Sequence, residues 1–250
     1  MLSILIPTYK FFDGICSILD NLNKSNNDLF EVIIFDDSPD YEIYFKLKDK
    51  KYLFNFHIYK GDQKGAVHNW NKLLSMKTRE YYMLLHQDEI PCPNFINKLD
   101  KLLNSLKPTI LSINTLILKD EDKFHLHSSA FMRKFFFNLN PYALFSINFI
   151  GPVSSLIFNK KIKLKFDHDL HWLVDVDAYV KLKDFKWSFD DTIYVTSIPN
   201  IFSITNQTNV KKLNKYEKKY LFQNKLEPFK IKKYLIIFIW YFFKIFKILK

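Results

Sequence analysis

Only two cysteines, Cys16 and Cys92, occur in the 250 residues, with no CxxC pair, so neither a disulfide-stapled secreted scaffold nor a thiolate zinc site is expected. Four glycines and nine prolines exclude collagen and Gly- or Pro-rich linkers. Arginine is nearly missing: 35 of the 37 basic residues are lysine. With Asn, Ile and Phe also abundant, the composition partly records an AT-rich coding sequence, and lysine richness by itself carries little meaning. No apolar run reaches the roughly 20 residues needed to cross a bilayer; the longest, Tyr234 to Phe243, has ten. The N-terminal MLSILIPTYK lacks a basic stretch before its apolar residues and meets Pro7 too early for a signal peptide, so a protein that is not secreted is expected. What is present, 48% apolar and 25% charged residues, is the balance of a soluble globular chain. At this length one large α/β domain with an appendage is expected rather than two equal domains.

The net charge of +11 is unevenly placed. Residues 1–204 carry 25 basic against 24 acidic side chains, and residues 205–250 carry 12 against 2, so the two parts hold +1 and +10. This predicts a main domain over 1–204 and a basic, aromatic-rich C-terminal segment over 205–250.

Along the main domain, apolar strands alternate with helical spacings. Strands are predicted at Leu2–Ile6, Phe30–Phe35, Phe54–Tyr59, Tyr81–Leu85, Thr109–Leu118 and Gly151–Phe158. Helices are predicted at Phe12–Asn23, Val67–Met76 and 92–106, and a helix or loop-to-helix segment at His168–Leu182. Residues 124–150 are aromatic and irregular and read as a loop-rich wall over a site. Such alternation predicts a mostly parallel central sheet flanked by helices, with ligands beyond the carboxyl ends of its strands. Three polar clusters occupy those ends: Pro7, Thr8 and Tyr9; Asp36 to Asp40; and His86 to Glu89.

Asp, Ser and Pro after a strand are ordinary turn formers, but a second acidic lip at Asp88 and Glu89 suggests a shared site. Mg²⁺ or Mn²⁺ is held by one or two carboxylates while substrate phosphates complete the shell. Cleavage or transfer at a phosphate is the chemistry that uses such an ion.

The ordered segments IPTYK, IIFDDSPD, KGAVHNWNKLL, YYMLLHQDEIP, GPVSSLIF and WLVDVDAYVKL, spread over roughly residues 1–185, resemble the inverting family 2 glycosyltransferases of the GT-A fold. The resemblance implies a nucleoside site at Pro7, Thr8, Tyr9, Asp36 and Asp37, and a DxD motif on His86, Gln87 and Asp88, with Asp88 as ligand of Mn²⁺ or Mg²⁺. The sequence departs from the motif at His86, which is either a ribose contact or a strand-end histidine. Asp175 is implied as the catalytic base, with Asp177 as the fallback, because acids at i and i+2 do not share a helix face. A carboxylate suits that task by accepting a hydroxyl proton as the oxygen attacks. Lys64, Asn69 and Asn71 can meet diphosphate or ribose, although both asparagines can equally cap a helix. Trp172 and His171 can stack or bind an acceptor sugar, or simply pack.

The implied function is transfer of a sugar from a nucleotide diphosphate sugar to a glycan or lipid-linked saccharide acceptor in bacterial surface polysaccharide synthesis. The segment 228–250, PFKIKKYLIIFIWYFFKIFKILK, reads as an amphipathic helix lying in an anionic membrane surface. Its apolar centre argues against a nucleic-acid arm. A cytoplasmic protein, peripheral on the inner face of the plasma membrane, is expected. Two competing readings are a non-catalytic membrane adaptor with a degenerate fold and a sugar nucleotidyltransferase. The latter is weakened by the poor phosphate loop in IPTYKFFDG.

Overall fold

The computed structural model describes residues 1–25, 27–120, 123–202 and 209–224. In chain order the elements are β1 (Leu2–Thr8), α1 (Phe12–Leu22), β2 (Phe30–Asp36), α2 (Glu42–Leu47), β3 (Asn55–Lys60), α3 (Ala66–Ser75), β4 (Tyr81–Leu84) and β5 (Glu89–Pro91). There follow α4 (Phe95–Leu106), β6 (Ile110–Asp120), β7 (Lys123–Leu126), α5 (Ala130–Leu139), β8 (Leu156–Asn159), α6 (Val174–Lys181), β9 (Trp187–Ser197) and α7 (Val210–Asn224).

The strands form one sheet in the order β3-β2-β1-β4-β8-β6-β9-β5, with β7 attached to β6. Strands β1 to β4 pair in parallel, as the uninterrupted apolar runs suggested. Beyond β4 the sheet is mixed: β8 is antiparallel to β4 and β6, β9 is parallel to β6, and β5 is antiparallel to β9. The fold is therefore GT-A-like α/β, its parallel half contributed by the N-terminal strands.

Period-two alternation splits the apolar side chains between two cores. Leu2, Ile4 and Ile6 of β1 meet Ile15, Ile18 and Leu19 of α1 and Leu99 and Leu103 of α4 on one face. Leu5 and Leu84 meet Trp70 and Leu73 of α3, Phe136 of α5 and Tyr179 of α6 on the other. Each fully buried aliphatic or aromatic side chain contributes about 1.5–3 kcal/mol, so both helical layers are firmly held.

Several segments differ from the sequence expectation or go beyond it. Residues 130–139 are helix rather than loop, with Met132, Arg133, Phe136 and Phe137 inward and the Ser129 hydroxyl accepting the Met132 N–H at 3.3 Å as its cap. The segment from His168, expected as helix or loop-to-helix, is turn and bend through 168–173 and becomes helix at Val174. Strands β5, β7 and β9 and helices α2 and α7 have no counterpart in the sequence expectation. Of the segment 228–250, all residues lie outside those described; among the described residues no helix is long and apolar enough to cross a membrane.

Candidate active site

Strands β1 and β2 end in register, with Thr8 opposite Asp36, and the Asp37 N–H extends the ladder by donating to the Thr8 carbonyl at 2.9 Å. Asp36 is fully buried and its carboxylate accepts from the Ser38 N–H (3.0 Å) and the Tyr44 N–H (2.9 Å), so it ties α2 to the strand end. Asp37 points the other way. Its carboxylate accepts from the Gln63 N–H at 2.6 Å and the Gly65 N–H at 3.2 Å, and burial pushes its pKa up. Gly61 makes this possible: a Cβ there would sit 2.5 Å from Asp37 Oδ1 and 3.0 Å from the Asp36 carbonyl oxygen.

Gln87, on the lip after β4, is a clamp. Its Oε1 accepts from the Thr8 hydroxyl (2.8 Å) and the Tyr9 N–H (2.7 Å), and its Nε2 donates to the Tyr9 carbonyl (3.2 Å). The lip and the Pro7–Tyr9 segment therefore form one unit. His86 stacks on Trp70 at 5.4 Å between ring centroids. Glu89 turns away from the cleft into the interior, 3.6 Å from His86 Nδ1, and burial pushes its pKa to about 8. Glu89 is absent from the cleft lining, which leaves Asp88 as the acid of that pair facing the cleft. Asp88 faces the cleft, its carboxylate accepting from Asn200 Nδ2 at 3.1 Å and its carbonyl from the Ile198 N–H at 2.8 Å.

Asp175 sits in the first turn of α6. Oδ2 accepts from the Val153 N–H at 3.2 Å, while Oδ1 is buried without a hydrogen-bond partner among the described residues. Burial raises its pKa to about 6, against the opposing charge of His86. Asp177, two residues on, pairs with Lys181 and does not line the cleft. The helix period thus gives the two acids different faces.

One cleft of about 1090 Å³ gathers Pro7, Thr8, Tyr9, Asp37, His86, Gln87, Asp88, His171, Trp172 and Asp175. Asp36, Lys64 and Asp177 are outside its lining; Lys64 is exposed. Asn69 lines the cleft and donates to the Phe35 carbonyl at 3.3 Å. Asn71 instead brackets the Phe166 backbone, accepting its N–H at 2.8 Å and donating to its carbonyl at 3.0 Å. Three cleft residues or supports escape sequence reading. Gln63 and Asn200 leave no signal beyond polar turns, whereas Glu217 is one of only two acids in the lysine-rich stretch 205–250. Glu217 is buried, and its carboxylate accepts the backbone N–H groups of His171 (2.7 Å), Trp172 (3.1 Å to each oxygen) and Leu173 (2.7 Å).

The glycosyl transferase family 2 profile matches residues 3–182, which embrace every strand-end cluster above. The chain belongs to glycosyl transferase family 2. Among solved structures, TarS 1–349 of S. aureus aligns with a TM-score of 0.58 at 17% identity, over 78% of this chain and 60% of that one. The same fragment in complex with UDP-GlcNAc aligns at 0.60 and 14% identity, over 90% and 68%. Mannosyltransferase PcManGT from Pyrobaculum calidifontis, in complex with GDP-Man and Mn²⁺, aligns at 0.57 and 14%, over 91% and 65%. At these identities the likeness is one of fold, and the chain spans about two thirds or less of those proteins' length. No curated protein sequence matches the chain.

For a divalent ion, the donor set fits a site shared with substrate. Among the described residues no three His, Cys, Asp or Glu side chains converge as a protein cage. Asp88 is a cleft carboxylate, and one protein carboxylate with two phosphate oxygens and water is an ordinary Mg²⁺ or Mn²⁺ shell.

Proposed function

We propose that this family 2 member is an inverting glycosyltransferase that moves a sugar from a nucleotide diphosphate sugar to a hydroxyl of a glycan or lipid-linked saccharide. The observation that carries the reading is Asp175: it lines the same cleft as Thr8, Asp37 and Asp88, and its buried Oδ1 has no hydrogen-bond partner among the described residues. Its pKa of about 6 leaves it ionised at pH 7 yet basic enough to take a proton.

In the proposed reaction the nucleoside lies against the Pro7–Tyr9 segment and Asp37, and Trp172 and His171 face the acceptor. The Asp175 carboxylate accepts the acceptor hydroxyl proton as the hydroxyl oxygen bonds to the anomeric carbon. The bond from that carbon to the diphosphate breaks on the opposite side, the electron pair leaving with the phosphate oxygen, so configuration inverts. Asp88 would hold the Mn²⁺ or Mg²⁺, which when bound neutralises charge growing on the departing diphosphate. Gln87 and Asn200 hold the strand end and the Asp88 carboxylate in place.

The test is turnover of a panel of UDP- and GDP-sugars, followed by nucleoside diphosphate release, with Asp175→Asn as the control. Metal-dependent release that vanishes in Asp175→Asn is expected; absence of release and of nucleotide binding would return the chain to the adaptor reading. The proposed setting is bacterial surface polysaccharide synthesis at the inner face of the plasma membrane, with 228–250 as the attachment. Its support is the ten-residue apolar run set among lysines. Removal of 228–250 is expected to release the protein from anionic liposomes, and unchanged binding would end that part of the proposal.

A further inference from the structure

Helix α7 lies past residue 182, where the family match ends, yet one of its faces is built into the cleft. Asn214 and Lys218, one turn apart, line the cavity beside Trp172 and Asp175. Leu221, on the same stripe, is buried in the core formed with α3, α5 and α6. Between them Glu217, 1% exposed, offers its carboxylate to the successive N–H groups of His171, Trp172 and Leu173. A second tie runs from the Tyr220 hydroxyl to Asp169 Oδ2 at 3.0 Å.

A buried carboxylate is costly unless its lone pairs are met, and here three amides at the entry to α6 meet them without a cation. Hydrogen bonds to an ionised acceptor are roughly twice as strong as neutral ones, and negative charge before a helix N-terminus is favoured by the helix dipole. The turn so held carries Trp172 at its middle and delivers Asp175 two residues after its end. The three amides precede α6 and have no helical acceptors of their own, so the Glu217 carboxylate is what fixes them.

We propose that α7 belongs to the catalytic apparatus and that Glu217 is a positioning residue, setting Trp172 and Asp175 at their distance from the donor through the 171–173 amides. The proposal rests on Asp175 being the base. Misplacement of a reacting group by about 1 Å costs on the order of 100-fold in rate, so a clamp of this kind is visible in kcat.

The experiment uses the full chain and the UDP- or GDP-sugar of the panel that turns over. Glu217→Gln keeps the size but turns an amide NH₂ toward N–H donors. It is expected to lower kcat by about 10- to 100-fold with donor KM within about twofold, while amide exchange at 171–173 accelerates and exchange in β1 to β4 does not. Should that variant unfold, Glu217→Asp, which keeps the charge and shortens the reach by one methylene, is read the same way. Unchanged kcat in the folded variant overturns the proposal. If turnover survives Asp175→Asn, the base assignment falls; if it is lost there but kept in Glu217→Gln, only the positioning role falls.

Discussion

Asp175 Oδ2 accepts the Val153 N–H at 3.2 Å, so the acid of α6 is anchored to the turn that leads into β8 while its other oxygen is left without a partner among the described residues. One oxygen fixes the group, and the residue lines the cleft. The arrangement makes the ionised form costly, and the consequences for activity and for stability are both measurable.

Activity should follow the ionisation of this group. With the carboxyl at about 6, kcat/KM is expected to rise through pH 6 and level off above pH 7. Asp175→Asn should lose on the order of 100- to 10,000-fold in kcat while donor affinity, measured calorimetrically, stays within about threefold. A profile flat from pH 5 to 8 would exclude Asp175.

Stability should move in the opposite sense. The folded pKa is raised above the ordinary 3.8, so the native state binds the proton more tightly than the unfolded chain. Stability is then highest below about pH 4 as far as this group is concerned, and is lost between 3.8 and about 6 as the unfolded carboxyl ionises first. The gap corresponds to roughly 3 kcal/mol at most. Asp175→Asn is therefore expected to be more stable than the parent by about 1–3 kcal/mol at pH 7.5, with the difference shrinking toward pH 4. Denaturant melts at the two pH values check this.

The parallel half of the sheet is readable because strands buried on both faces appear as continuous apolar runs, and the acids that follow them mark the strand ends. The later elements are not. In α5 three consecutive phenylalanines, Phe135 to Phe137, blur the helical period. In β9 the polar Asp190, Asp191 and Thr192 break the apolar pattern. Long-range ties settle both: the fully buried Arg133 donates to the carbonyls of Ser128 and Asp190 and pairs with Asp191 at 3.2 Å. Within the site, Thr8, Asp37 and Asp88 are legible as polar residues at strand ends and Asp175 through the family resemblance of WLVDVDAYVKL, and the four share one cleft. Glu217 is not, since a lone acid among lysines shows its purpose only when three amides from 44 to 46 residues away are seen to point at it.

The Gln87 clamp predicts a defect that is structural in origin and felt at the nucleotide. Gln87→Ala removes acceptors from the Thr8 hydroxyl and Tyr9 N–H and a donor from the Tyr9 carbonyl. Thr8 is buried, but Tyr9 and Gln87 reach the surface and water can replace part of the lost bonding, so the cost expected is about 1–2 kcal/mol. UDP or GDP binding should weaken by about tenfold because the Pro7–Tyr9 segment loses its anchor. Gln87→Glu keeps the accepting oxygen and should retain most of both; calorimetry and melting curves together decide.

Asp88 separates metal from nucleotide. In Asp88→Asn the carbonyl of the amide can still accept from Asn200, so the lip should keep its shape. Nucleoside diphosphate binding measured without metal is expected to stay within about twofold. The tightening produced by Mn²⁺ should disappear, because the neutral amide no longer offers the charge that holds a hard cation. Full metal-linked tightening in the variant would place the ion elsewhere.

Gly61 links backbone space to the placement of the Asp37 carboxylate. The Cβ introduced by Gly61→Ala would fall 2.5 Å from Asp37 Oδ1, an approach that no real Cβ tolerates. The carboxylate cannot swing aside freely, since Gln63 and Gly65 hold both its oxygens. Nor can the neighbouring backbone yield, because the Gly61 N–H is bonded to the Asp36 carbonyl at 2.7 Å. Either the Asp37 bonds break or the β3–α3 loop shifts, and each route costs about 1–3 kcal/mol. Nucleotide affinity, measured by calorimetry, should fall by about 10-fold or more while the two hydrophobic cores, which Gly61 does not touch, keep the sheet intact. Parental affinity in Gly61→Ala would mean that Asp37 has no part in holding the nucleoside.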